Sequence, residues 1–184
     1  IGELAMGATD VTGTDNIAIG TTSMDALTSG ATNIAMGKNA MGASTTTSNS
    51  IALGQNALGD AITTGVNNIA IGCGVAADIT SGAVNIAMGE GAYRTATTGC
   101  FNVAIGGGAI GTGITTGIDN TGIGRNAATA LTSGHNNVAM GLDALAASVS
   151  GYCNVAIGRD SLKTQVDPIG NVAIGVGAIG GATN

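Results

Sequence analysis

A five-residue pattern of alternating large and small apolar positions, closed by glycine, recurs along the chain. Typical copies read NIAIG at 16–20, NIAMG at 85–89 and NVAIG at 154–158. Alternation with period two among β-branched residues predicts a short β-strand in each copy. The closing glycines lie 17 or 18 residues apart after a first gap of 13: Gly7, Gly20, Gly37, Gly54, Gly72, Gly89, Gly106, Gly124, Gly141, Gly158 and Gly175. This regularity predicts an all-β fold, a parallel β-solenoid (β-roll) of about eleven 17-residue coils.

The alternation divides each strand into a face of large side chains and a face of alanines. We expect the large residues, such as Ile17 and Ile19, to point into the coil, because nothing else in the repeat has the volume to fill it. The alanines would then form a small apolar stripe outside, where polar residues are usual. We interpret this stripe as a contact seam between subunits: Ala18, Ala35, Ala52, Ala70, Ala87, Ala104, Ala139, Ala156 and Ala173, interrupted by Gly122.

The residue that opens each strand is almost always asparagine, with Ser50 as the exception. Stacked asparagines can hydrogen bond to one another along a ladder of strands, or can bond to the backbone of a turn. Both roles are structural. The predicted ladder consists of Asn16, Asn33, Asn68, Asn85, Asn102, Asn120, Asn137, Asn154 and Asn171.

Between strands, the repeat predicts two turns and a second short strand. An Asn, Asp or Gly lies two residues after the closing glycine, as at Asn39 and Gly91, and an apolar residue that we expect to face the interior follows two later. A Thr-Thr-Gly-like corner precedes the next strand. The region 42–50 lacks the corner glycine, and 163–170 carries the only proline, Pro168, whose loop we expect to bulge out of the stack.

The composition contains little catalytic or ligand-binding chemistry. Eleven acidic and five basic residues are scattered without a basic cluster, which argues against nucleic-acid binding. No apolar run approaches the ~20 residues of a membrane span, so we expect no membrane insertion by this segment. With one histidine, His135, and three cysteines that we interpret as free thiols or one intersubunit disulfide, we predict no metal site, no cofactor and no enzymatic activity. Asp143 and Asp160 are the only neighbouring acids in the turn column where a stray cation could bind.

The repeat core N-[IV]-A-[IM]-G, with GxxAL after it and TTGxxN before it, resembles the head repeats of YadA-like trimeric autotransporter adhesins and the related repeats of phage tail fibres. The resemblance extends from Leu4 to about Ile179. It implies a left-handed β-roll assembled as a parallel homotrimer on a bacterial surface or a virion. It implies no ligand-binding residue.

We therefore expect residues 1–184 to form a single β-solenoid domain that is a fragment of a longer fibre. The expected function is that of a structural or adhesive segment in a surface-exposed trimeric fibre, either a phage tail fibre or a bacterial adhesin head. Such a segment would build a rigid rod and present a face to a host-cell or surface receptor, in an extracellular location. The alternative is an ice-binding β-solenoid, which would present regular arrays of small residues and threonines.

Overall fold

A computed structural model describes residues 1–8, 11–111, 113 and 115–180. In these residues the chain is an all-β solenoid with one three-residue strand per coil. The ten strands are β1 Ile17–Ile19, β2 Ile34–Met36, β3 Ile51–Leu53, β4 Ile69–Ile71, β5 Ile86–Met88, β6 Val103–Ile105, β7 Thr121–Ile123, β8 Val138–Met140, β9 Val155–Ile157 and β10 Val172–Ile174. They form one parallel sheet in sequence order.

The sheet register matches the sequence repeat residue for residue. Ala18 pairs with Ala35, and Ala35 pairs with Ala52. The 18-residue steps keep the same register, since Ala104 pairs with Gly122. The extra residue of a longer repeat therefore lies in the turns, and identical strand positions form columns along the solenoid.

The first copy of the repeat lies elsewhere than its sequence suggests. Leu4 and Met6 adopt left-handed φ angles of 54°, as do Thr22 and Met24 at 54° and 52°, so residues 3–7 belong to a turn rather than to an eleventh strand. The glycine equivalent to Gly20 is Gly2, whose φ of 135° matches the 133° of Gly20. Assigning the first copy to Gly7 was wrong, and the irregular gap of 13 residues disappears.

The segment after each closing glycine, such as residues 38–42, is a turn rather than the predicted second strand, and we call this side of the solenoid the turn wall. In the second coil, Asn39 and Met41 have left-handed φ angles of 56° and 52°. The N–H of Asn39 donates to Thr21 O in the coil before at 2.9 Å, and the N–H of Met41 donates to Ala57 O in the coil after at 2.9 Å. This wall is therefore hydrogen bonded to both neighbouring coils without strand geometry.

Side chains from the turn wall fill the interior. The strands therefore point their alanines inward and their large residues outward, which is the reverse of the prediction. Large side chains four residues after the closing glycine are fully buried: Met24, Met41, Leu58, Tyr93, Ile110, Leu145 and Leu162. They confirm the expected inward direction of this column, although Ile179 in the last coil is 52% exposed. Because these residues occupy the coil, only methyl-sized side chains fit on the facing strand.

The exception in the alanine column shows how narrow the interior is. Gly122 stands where other coils have alanine, and a Cβ built on it would lie 2.7 Å from Cγ1 of Ile110. A contact this short is incompatible with van der Waals packing. Ile110 thus takes the space that an alanine methyl group occupies in the other coils.

The prediction that Pro168 bulges out of the stack was wrong. Pro168 is buried in the corner column, and its carbonyl oxygen accepts hydrogen bonds from Tyr152 N at 3.0 Å and Asn154 Nδ2 at 2.7 Å. The corner uses the carbonyl of this residue, which proline retains.

Candidate functional site

The asparagine column forms a hydrogen-bonded ladder on the interior side of the corner. Asn137 is typical: its N–H and Nδ2 both donate to Asn120 Oδ1, at 3.1 and 3.0 Å. Its Nδ2 also donates to Gly151 O at 2.7 Å. Its own Oδ1 accepts from N and Nδ2 of Asn154 at 3.1 and 2.9 Å. Both amide hydrogens and the amide oxygen are therefore fully used, which makes this column a structural device.

The corner glycines are required by space. A Cβ built on Gly134 would lie 2.3 Å from Gly151 O and 3.2 Å from Asn137 Nδ2. The amide of the ladder and the carbonyl that it bonds thus leave no room for a side chain. Asparagine in the ladder and glycine at the corner are therefore coupled by space, with the last coil as the exception, where Pro168 precedes Asn171.

One coil replaces both members of this pair at once. Ser50 takes the ladder position and Thr47 takes the corner position. The Thr47 hydroxyl donates to Gly65 O at 2.5 Å, which replaces the bond that an asparagine amide makes in other coils. Ser50 Oγ accepts from Asn68 N at 3.1 Å, which replaces the amide oxygen. The ladder continues through this coil with different chemistry.

The alanines predicted as a subunit seam lie inside the single chain. Those of β2 to β10 are at most 2% exposed, and Ala18 packs against the same core at the end of the sheet. They face the large turn-wall residues rather than the outside. The seam prediction was therefore wrong for these residues, and the outward face of the sheet carries the larger side chains instead.

We define the outer sheet face as the first and third residues of the ten strands. It contains Ile17, Ile34, Ile51, Ile69, Ile86, Val103, Thr121, Val138, Val155 and Val172 in one column, and Ile19, Met36, Leu53, Ile71, Met88, Ile105, Ile123, Met140, Ile157 and Ile174 in the other. Only Thr121 is polar. Within the sheet, Met36 is 43% exposed and Met140 is 37% exposed.

This face has the dimensions and composition of an interaction surface. Nine steps of about 4.8 Å give a length of roughly 43 Å, and a width of about 10 Å gives roughly 430 Å². The largest apolar patch on a typical monomer covers about 300–600 Å² and is often functional, so this face is a candidate contact site. The column that follows the closing glycines, along one edge of this face, includes Lys38, Gln55, Glu90 and Arg125, although Leu142 and Val176 interrupt it.

The other candidate residues have structural partners. Lys163 Nζ lies 3.1 Å from Asp143 Oδ2 and 2.8 Å from Asp160 Oδ1, so an ammonium group occupies the place considered for a cation. Hydrogen bonds from Asn126 and then Lys163 lower the pKa of Asp143. His135 stacks on Tyr152 with ring centroids 5.0 Å apart.

The three cysteines, Cys73, Cys100 and Cys153, are unbridged within the chain. No group of three potential metal ligands occurs in the described ranges. Over the same ranges, no helix is both long and apolar enough to cross a membrane.

Comparison with known proteins identifies no relative for this chain. No family model matches it. Searches of curated proteins and of solved structures likewise give no significant match. A functional assignment therefore depends on the surface of the solenoid itself.

Proposed function

We propose that this chain is a structural and adhesive segment of a surface-exposed trimeric fibre, extracellular and without catalytic activity. The outer sheet face is the observation that carries the proposal. This face is a continuous apolar stripe on a solenoid whose interior is already filled. Burial of the stripe therefore requires a surface outside the chain. The occupant that we propose is further copies of the same chain, arranged in parallel.

Self-association fits the geometry of the stripe. All ten strands point the same way and keep one register, so a second copy in parallel meets the same apolar rows over the whole length. A pair joined through this face alone would bury about 900 Å², below the ~1,000 Å² expected of a stable interface. A third copy adds its own face around a common axis. Three is also the number implied by the resemblance to trimeric adhesins and tail fibres.

The proposed fibre is stiff because each coil is bonded to both neighbours. Backbone bonds along the sheet, the turn wall and the asparagine ladder all run parallel to the solenoid axis. In such a structure, stability is the sum of coil and nearest-neighbour terms, so a long rod needs no separate globular core. A phage tail fibre and a bacterial adhesin head both use a rod in this way to present a surface-binding face.

The ice-binding alternative has less support. The corner threonines do not form a free array of hydroxyls: Thr28 Oγ1 donates to Thr45 O at 3.1 Å, and Thr80 Oγ1 donates to Thr97 O at 3.0 Å. The flat face of the solenoid is occupied by isoleucine, valine and methionine. A measurement of thermal hysteresis separates the two proposals, because a fibre segment should produce none.

The proposal is tested by the mass of the chain in solution. Light scattering should give three times the chain mass of 17.5 kDa. Met88→Glu and Met140→Glu place charges on the outer sheet face and should yield folded monomers, since a buried unpaired carboxylate is strongly unfavourable. Ser81→Glu at an exposed corner is the matched control and should leave the mass unchanged.

A second substitution separates assembly from folding. Ala87 lies inside the coil, so Ala87→Glu should abolish the β-sheet signal in circular dichroism rather than release folded monomers. A wild-type chain that is monomeric at micromolar concentration would overturn the trimer. Unchanged assembly of both methionine variants would overturn the outer sheet face as the interface.

A further inference from the structure

In the residues that the structure describes, a depression in the turn wall interrupts the repeat. Its column, two residues after the closing glycine, reads Asn39, Asn56, Gly74, Gly91, Gly108, Asn126, Asp143, Asp160 and Gly177. Three consecutive coils therefore lack the side chain that the coils on either side carry. The resulting surface depression has a volume of about 350 Å³ and is lined by Cys73, Gly74, Glu90, Gly91, Arg94, Gly107, Arg125 and Asn126.

The missing side chains are what create the space. A Cβ built on Gly91 would have no atom within 4 Å, so the centre of the depression is open. A Cβ on Gly74 would lie 3.9 Å from Arg94 Nη1, and a Cβ on Gly108 would lie 2.9 Å from Asn126 Oδ1. Polar atoms of Arg94 and Asn126 thus border the space left by the glycines.

Two of the chain's five basic residues line this one depression. In the described part of the chain, neither Arg94 nor Arg125 forms an ion pair with a carboxylate, whereas Arg159 and Lys163 do. A guanidinium presents a rigid fork of donors that suits bidentate binding of a planar carboxylate. Two guanidinium groups that form no contact ion pair, at the rim of one depression, can take an anionic ligand.

The remaining polar groups are acceptors. Asn126 Nδ2 donates a hydrogen bond to Asp143 Oδ1 at 3.1 Å. The amide oxygen of Asn126 lies toward Gly108 and is the acceptor that this side chain offers to the depression. Glu90 provides a carboxylate in the same depression and forms no ion pair within the described ranges. Acceptors beside two cations suit a ligand that combines a carboxylate with hydroxyl groups, because each hydroxyl needs an acceptor.

We propose that this depression binds an acidic sugar, with Arg94 and Arg125 holding its carboxylate and Glu90 and Asn126 accepting hydrogen bonds from its hydroxyls. The site deepens the adhesive part of the proposed function and rests on that function for its biological role. Its lining combines turn-wall residues with Glu90 and Arg125, which also lie along one edge of the outer sheet face.

The sharpest test fills the depression without changing its charge. Gly91 has a φ of 62°, close to the 56° of Asn39 and the 55° of Asn56 in the same column, so Gly91→Asn restores the repeat with the side chain that best tolerates this left-handed conformation. It should abolish binding while leaving the melting temperature unchanged. Gly177→Asn, at a φ of 67° in the last coil, is the matched control and should bind as wild type.

Charge variants test the role of the guanidinium groups. Arg94→Gln and Arg125→Gln should each weaken binding about tenfold or more, since a hydrogen bond to a charged group is worth that factor. Arg159→Gln is the matched control because Arg159 is paired with Asp160 elsewhere on the wall. The affinity of the chain for the probe D-glucuronate, an acidic sugar, should also fall as salt is added, because salt screens the attraction between its carboxylate and the guanidinium groups.

The probes are D-glucuronate, D-glucose and inorganic phosphate, measured by ligand-observed NMR on the intact chain. Binding of D-glucuronate without binding of D-glucose supports the proposal, because these two sugars differ in the carboxylate. Binding of phosphate alone, equal binding of both sugars, or wild-type affinity in Gly91→Asn would each overturn it. The mass of every sample is measured in parallel, so that a failed binding site is distinguished from a failed assembly.

Discussion

The exchange of two residues in the third coil provides a direct test of how the ladder is held together. Thr47 and Ser50 replace the usual corner glycine and ladder asparagine. Reverting one at a time separates their effects. Thr47→Gly removes the hydroxyl that donates to Gly65 O at 2.5 Å and leaves that carbonyl without its side-chain donor. An unpaired buried group costs about 1–3 kcal/mol, and the new glycine adds about 0.5–1 kcal/mol of backbone entropy.

The second single variant fails for a different reason. Ser50→Asn introduces an amide where the Thr47 side chain already lies. In a regular coil, a Cβ at corner Gly117 would be only 3.1 Å from Asn120 Nδ2, so a threonine at the corner would crowd the amide of an asparagine in the ladder. Overpacking of this kind costs about 1–3 kcal/mol.

The double variant Thr47→Gly/Ser50→Asn should be close to wild type in stability. It reproduces the coil of Gly99 and Asn102, where the next coil also lies 18 residues on and Asn102 Nδ2 donates to Gly117 O at 2.9 Å. The two substitutions should therefore be coupled by about 2–6 kcal/mol, which is the sum of the unpaired-carbonyl and overpacking costs that the double variant avoids.

Urea unfolding followed by circular dichroism measures this coupling, with the slope of the transition checked for constancy. A matched control cycle pairs Thr47→Gly with Asn137→Ser, five coils away, and should be additive. Single effects in the third coil that add to within about 0.5 kcal/mol would refute the view that hydroxyl and amide substitute for each other.

Two further predictions concern buried polar groups. Burial raises the pKa of Tyr93, whose hydroxyl accepts a hydrogen bond from Asn102 Nδ2 at 2.7 Å. With rising pH, this tyrosine therefore ionises in the unfolded chain before it ionises in the folded one. The free energy of unfolding should keep its full value below pH ~10 and fall above it by up to about 1.4 kcal/mol per pH unit. In thermal melts, Tyr93→Phe should lose less stability over that range than the wild-type chain; equal losses in the two proteins would contradict the assignment. Asn137→Leu should destabilise the chain by about 3–5 kcal/mol in urea, because Asn154 N and Gly151 O lose their partners. The control Ser133→Leu, at an exposed corner position, should cost under about 0.5 kcal/mol.

The repeat allowed much of the fold to be predicted. Seventeen-residue spacing specifies stacked coils in register, and Ala35 does pair with Ala52 as the column implies. The asparagine column indicated a ladder because its members recur at the start of every strand. By contrast, the second strand was predicted from apolar spacing, and it was wrong because the apolar residue itself, such as Met41 with a φ of 52°, is left-handed, which its residue type does not indicate.

The candidate surfaces were harder to predict. Arg94 and Arg125 are 31 positions apart in the chain and share a depression only because coils stack. The run of glycine at Gly74, Gly91 and Gly108 was the available signal, since it departs from the asparagine of the flanking coils. Its meaning required the positions of the neighbouring side chains.

The sequence by itself determined the solenoid, the length of each coil and the register, because these follow from periodicity and from which residues can recur in a parallel stack. It also divided every strand into a large face and a small face. Only the tertiary structure decided which face is inside. The turn wall fills the coil with residues such as Met41 and Leu58, so the strand opposite has room for a methyl group and nothing more. Isoleucine, valine and methionine are therefore turned outward, where they form the face that we propose joins the copies.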